Sequence, residues 1–229
     1  MGLIPQMDAD ERSDASPVVA PPWAHRGTDL GRILALSDGV FAFAMTLLVL
    51  GLVLPLGSQG SAVRSYLLSS RFLQPLYAYV ITFFVISIWW QGHHLTFSYF
   101  RAYDRSLIRL NTVFLLFIAI LPFATNVLNS AGSDPIGAVF FALIQVGGGA
   151  SLGAVWLYGS GRGNLVAPGL PIQWKRHITM RVLLPPLVFA LSIPVAFVNT
   201  SLAEVLWLVV LAIPVLARKQ VLHQTNSAA

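Results

Sequence analysis

The chain has 229 residues, of which 56% are apolar and 10% charged, with a formal net charge of +5 and no cysteine. Soluble domains carry about 25% charged residues, so this balance excludes an ordinary soluble fold and marks an integral membrane protein. The missing cysteine removes disulfides, thiolate metal sites and cysteine nucleophiles, and the scattered basic residues argue against a nucleic-acid groove.

In chain order, residues 1–30 come first. They hold Asp8, Asp10, Glu11, Asp14 and Asp29 with Pro17, Pro21 and Pro22, and no basic segment leads into an apolar core. A mostly disordered cytoplasmic tail is expected there rather than a secretory signal. A membrane domain follows over 31–218, and 219–229 form a short C-terminal tail. About 20 apolar residues cross the hydrocarbon layer, and by that measure the domain holds six predicted helices. They run approximately from Ile33 to Leu54, Leu73 to Leu95, Leu107 to Leu128, Ile136 to Tyr158, Val182 to Val198 and Leu202 to Ala217. The runs are continuous rather than alternating, which excludes barrel strands. Six crossings put both termini on one side. That side then holds twelve of the fourteen Lys and Arg residues, all except Arg64 and Arg71. The positive-inside rule makes it the cytoplasm.

Ionisable groups inside such spans are few: Arg32, Asp38, His93, His94 and Arg109, with Ser37, Thr46, Asn111 and Asn126 as neutral polar company. Asp38 lies one to two turns inside the cytoplasmic end of the first helix. Two roles fit it, a hydrogen-bonded clasp that fixes the helix against its neighbours or a direct ion ligand. Adjacent histidines on one helix point about 100° apart, so His93 and His94 are poorly placed to share a metal. One is expected to bond a neighbouring helix while the other meets solvent or headgroups. Trp89 and Trp90 sit where interfacial anchors are expected. Asn111 on the third helix suits Asp38 or a histidine as partner, because its amide both donates and accepts. Pro122 is expected to kink that helix, with Thr125 or Asn126 near the freed carbonyl. Gly147 to Gly149 with Gly153 give the fourth helix a small-residue face, which reads as close helix packing and not as a phosphate loop.

A carbonyl selectivity filter needs a glycine-rich re-entrant stretch, and none is present. Past Asp38 the first helix offers Phe43, Leu47 and Leu50 on one stripe, with Thr46 beside it. Such a stripe faces lipid or core, or it forms an apolar constriction when several copies surround an axis.

The stretch R-I-L-A-L-S-D at 32–38 resembles the R-x-x-x-F-S-D signature of the transmembrane protein 175 potassium channel family. W-Q-G-H-H-L-T-F at 90–97 is similar to its W-x-x-H-H-x-x-F stretch, and Asp104, Asn111, Pro122, Phe123 and Thr125 fall where the family pattern continues. The resemblance covers roughly residues 30–127. It implies an all-α integral membrane subunit of six helices, assembled as a homotetramer with the first helix lining a central pore. It also implies a passive, potassium-selective cation channel and not an enzyme, needing no cofactor beyond the permeant potassium ion, with membrane lipids and its own copies as partners. The location implied is a prokaryotic plasma membrane. Phe43 takes the place of the constriction residue, more usually isoleucine, with Leu47 and Leu50 above it and Thr46 beside the path. Arg32, Ser37, Asp38, Trp90, His94 and Asn111 are implied to form a polar network that positions the pore helix. The signature phenylalanine is Leu36 here, and Gly51 stands where the family has a carboxylate beyond the apolar run. The competing reading is a proton-coupled or pH-sensing transporter in which Asp38 and His94 titrate.

Overall fold

The computed structural model describes residues 27–55, 57 and 59–210; the N-terminal tail up to residue 26, the end of the sixth predicted span and the C-terminal tail lie outside them. Among the described residues regular structure is almost wholly helical. Helix α1 (Gly31–Leu47) passes into a 3₁₀ turn at Leu48–Gly51, a short α2 covers Ser61–Leu67, and α3 (Ser70–Ser98), α4 (Arg105–Ala131), α5 (Pro135–Ser160) and α6 (Ile172–Val198) are long. A further apolar helix, α7, runs over Thr200–Val210. Among the described residues five segments are long and apolar enough to cross a bilayer: α1 with its 3₁₀ turn, and α3 to α6.

One predicted boundary moves by more than two turns. The fifth span starts at Ile172 rather than near Val182, because Lys175, Arg176 and Arg181 lower the hydropathy of turns that are nonetheless helical. Pro185, Pro186 and Pro194 lie within the same helix without ending it, as happens in membrane helices when neighbouring groups satisfy the freed backbone. Likewise α4 continues through Pro122. The Thr125 hydroxyl donates to the carbonyl of Leu121 at 2.9 Å, and its oxygen lies 3.1 Å from Thr82 Oγ1, whose hydroxyl can donate to it. It therefore does not serve the carbonyl of Ile118, the one that a proline at 122 leaves without its usual donor.

Local signals explain where the helices start. Asp104 caps α4 by accepting from the Leu107 amide at 2.8 Å, and its second oxygen accepts from the Tyr158 hydroxyl at 2.6 Å. Asp134 accepts from the Ile136 amide, with Pro135 in the first turn of α5. Ahead of α1, Gly27 pairs with Tyr103 through both backbone bonds, and Arg101 donates to Leu165 at 2.8 Å. These pairings bring the entry to α1, the α3–α4 loop and the α5–α6 loop to one end of the bundle, the end that carries most of the arginines. At the opposite end the Tyr66 hydroxyl reaches the Val53 carbonyl and ties α2 to the chain leaving α1.

The helices pack through α4, which lies between α1 and α5. Phe41 and Ala44 of α1, Trp89 and Phe97 of α3, and Phe114 and Ile118 of α4 are buried together. A second aromatic group joins Phe141 of α5, Phe189 of α6 and Trp207 of α7, whose indole N–H donates to Ser192 Oγ at 2.9 Å. The glycine face of α5 serves close packing. A Cβ on Gly149 would lie 2.4 Å from the Pro186 ring, and one on Gly153 would lie 2.7 Å from Leu183.

Candidate functional site

Helix α1 has two dissimilar faces. Ser37, Phe41, Ala44 and Leu48 are buried against α3 and α4. On the other side Leu36, Phe43 and Leu50 are 62%, 65% and 68% exposed, and Leu47 is half-buried. With about 100° per residue, Leu36, Phe43 and Leu47 fall on one stripe. The tighter 3₁₀ turn then eclipses residues three apart, which keeps Leu50 in line with Leu47. Leu36, Gly39, Phe43 and Leu47 line a shallow groove closed on its far side by Ala119 of α4. Thr46 is exposed beside the stripe, and its hydroxyl is satisfied by the Phe43 carbonyl at 2.8 Å. Gly51 ends the turn next to Asn126, whose side-chain oxygen occupies the space a Cβ would take.

Polar groups at the start of α1 divide into two sets. The first is buried. The Ser37 hydroxyl donates to the Ile33 carbonyl at 2.8 Å and accepts from Asn111 Nδ2 at 3.1 Å, while Asn111 Oδ1 meets His93 Nε2 at 2.9 Å. Because the Ser37 proton is already used, its oxygen can only accept from the amide, so Asn111 turns Oδ1 to His93 and His93 must donate from Nε2. The imidazole lies between the rings of Phe97 and Phe114, with centroids at 4.3 and 5.6 Å. The second set is exposed. Trp90 Nε1 donates to Asp38 Oδ1 at 2.8 Å, and the ring of His94 stacks on Trp90 at 5.8 Å.

The single network implied for Arg32, Ser37, Asp38, Trp90, His94 and Asn111 is therefore two. Asn111 bonds His93 and Ser37, not Asp38 or His94, since successive residues of α3 diverge by about 100° and His93 takes the inward position. Arg32 is exposed at the helix start, and no ion pair joins it to Asp38 among the described residues. Trp89 is no interfacial anchor: it is buried and donates its indole N–H to Gln145 Oε1 at 2.7 Å. The role of His93 has a trace in the sequence, because Val85, Trp89, His93 and Phe97 recur every four residues along one face of α3 and all are buried.

Residues 32–122 match the family model described as the endosomal/lysosomal potassium channel TMEM175. A potassium channel of Streptomyces collinus is 33% identical over 177 residues, which is 75% of this chain and 84% of that one. An endosomal/lysosomal proton channel TMEM175 of Gallus gallus is 24% identical over 82% of this chain and 38% of its own, longer length. The fold is similar to the crystal structure of a lysosomal potassium-selective channel TMEM175 homologue from Chamaesiphon minutus, with a TM-score of 0.68, 24% identity and coverage of 82% of this chain and 97% of that one. Matches that run from the S-D and H-H stretches through most of both chains make this protein a member of the TMEM175 potassium channel family, whose members are ion channels and not enzymes.

Proposed function

We propose that the chain is one subunit of a homotetrameric, potassium-selective channel whose pore is lined by α1 and narrowed by Phe43, with Leu47 and Leu50 further along and Thr46 beside the path. No ring of carbonyls selects the ion in this reading; it must pass an apolar constriction, where dehydration and dewetting set the barrier. The observation that carries it is the exposed face of α1. Its apolar stripe has the exposed Thr46 beside it and the exposed Asn126 of α4 at its far end, and hydrocarbon is a costly neighbour for a side-chain amide. Copies facing each other across a water-bearing axis accommodate both the stripe and its polar flank. The termini face the cytoplasm by the positive-inside rule, and the membrane is the prokaryotic plasma membrane.

Purified protein in potassium-loaded liposomes tests the reading. Flux should run down the gradient without a coupled ion, and Phe43→Ala should raise the rate or weaken potassium-over-sodium discrimination at least several-fold. Unchanged flux ratios after separate replacement of Phe43, Leu47 and Leu50 would remove the stripe from the path.

A second reading is proton passage, favoured by the proton-channel name of the vertebrate relatives and by Trp90, which bonds Asp38 and stacks on His94. A pH-sensitive dye inside the same liposomes separates the two. Proton entry abolished by Asp38→Asn or His94→Phe, with potassium flux retained, would support it.

A further inference from the structure

The geometry points to a binding site for one monovalent cation in the cleft around Glu204, away from the α1 stripe. Glu204 sits in the second turn of α7, half-buried in a helix that is otherwise apolar over most of its length. Its side chain borders a cleft of about 20 Å³ between α3, α4, α5 and α7 whose polar lining is Gln74, Tyr77, Thr82, Asn129 and Glu204, with Trp207 as part of the apolar wall. Each of those five residues offers an oxygen, and none carries a positive charge. No hydrogen bond or ion pair engages the Glu204 carboxylate among the described residues, although Tyr77 is near enough to feel its charge. An ionisable group inside a membrane bundle normally has a partner. Here the protein offers none among the described residues, and the space beside the carboxylate is lined with acceptor oxygens.

The charge and donor set indicate what fits. One carboxylate with neutral oxygens balances a single positive charge, whereas calcium takes six to eight oxygens, commonly from several carboxylates, and magnesium keeps a strict octahedron. The cleft is small and walled, which favours a bare or nearly bare alkali ion over a bulky organic cation. It lies at the end remote from Arg32, Arg101 and Arg105, because Gln74 and Tyr77 open α3, Asn129 closes α4 and Glu204 opens α7. Potassium or sodium reaching it comes from the solution on that side, without entering the stripe.

The test uses the full chain in phosphatidylcholine nanodiscs at constant ionic strength, with potassium exchanged for N-methylglucamine. The wild-type unfolding temperature should rise with potassium through a saturable step, and Glu204→Gln should move the half-saturating concentration up at least tenfold while the potassium-to-sodium permeability ratio stays as it was. Superimposable titrations would overturn the proposal, and so would stabilisation that follows ionic strength whatever the cation. Stabilisation that needs phosphatidylethanolamine instead of potassium would also overturn it and assign the cleft to a lipid ammonium group. Anomalous scattering from thallous ion in wild-type crystals keeps the question open to an answer if the variant does not fold. A peak beside the Glu204 carboxylate is expected, and density confined to the α1 axis would sink the site.

Discussion

Asn111 decides how α1 is seated. It bonds both Ser37 of α1, through Nδ2, and His93 of α3, through Oδ1. Asn111→Ala leaves the His93 N–H buried without an acceptor, a loss of about 1–3 kcal/mol for an unsatisfied group. A lower unfolding midpoint in mixed micelles would register it, and a midpoint equal to wild type would mean that water replaces the amide. Asp38 makes a different kind of contact, exposed and with one donor, Trp90. Asp38→Ala should therefore reduce the yield of assembled protein but leave the potassium-to-sodium permeability ratio of surviving channels unchanged. Asp38→Asn should stay nearer wild type, since an amide oxygen still accepts from the indole. A changed permeability ratio in either variant would place Asp38 in the ion path instead of beside it.

At the scale of elements the α5–α6 contact is the most sensitive to volume. Adjacent glycines of α5 meet different neighbours: a Cβ on Gly148 would stand 3.4 Å from Phe117 Cβ, while one on Gly149 would press on the rigid ring of Pro186 at 2.4 Å. Gly149→Ala should thus cost about 1–3 kcal/mol through overpacking. Gly148→Ala should be close to neutral, because alanine's better helix propensity, about 1 kcal/mol, offsets a mild contact. Thermal unfolding of the two variants side by side checks the order, and equal losses would show that the helices separate freely. The same elements show what a sequence can disclose. Long apolar runs made α1, α3, α4 and α5 legible, since hydropathy over a span is a local sum. The basic residues of the first turns of α6 masked ten residues of helix from that sum, and α2, seven residues long, offered no window wide enough to register. The pairings of Gly27 with Tyr103 and of Arg101 with Leu165 join residues more than sixty apart in sequence, which no local pattern encodes. In the candidate site the residues themselves were legible, and their grouping was not: the recurrence of Val85, Trp89, His93 and Phe97 every four residues marks His93 as inward, but no pattern in the string pairs it with Asn111 of another helix.

For the whole molecule the question is whether the exposed stripe of α1 meets its own copies or lipid, and the absence of cysteine makes that answerable by cross-linking. A disulfide forms only where two Cα atoms come within roughly 4.4–6.8 Å, or where motion brings them there. If four α1 helices converge on one axis and Phe43 marks the narrowest level, Phe43→Cys should yield a disulfide-linked dimer under mild oxidation in the membrane, at protein densities where random collisions are rare. The same change at Leu191, 61% exposed on α6, should give little. Silver ion applied to channels carrying Phe43→Cys should block potassium flux, and it should leave channels with Leu191→Cys untouched, because a thiolate on the conduction path is titrated by the metal and one among lipid tails is not. Cross-linking at 191 in preference to 43 would reverse the assignment of the two faces. It would make the α1 stripe a lipid-facing surface, and the pore would then have to be sought elsewhere in the bundle.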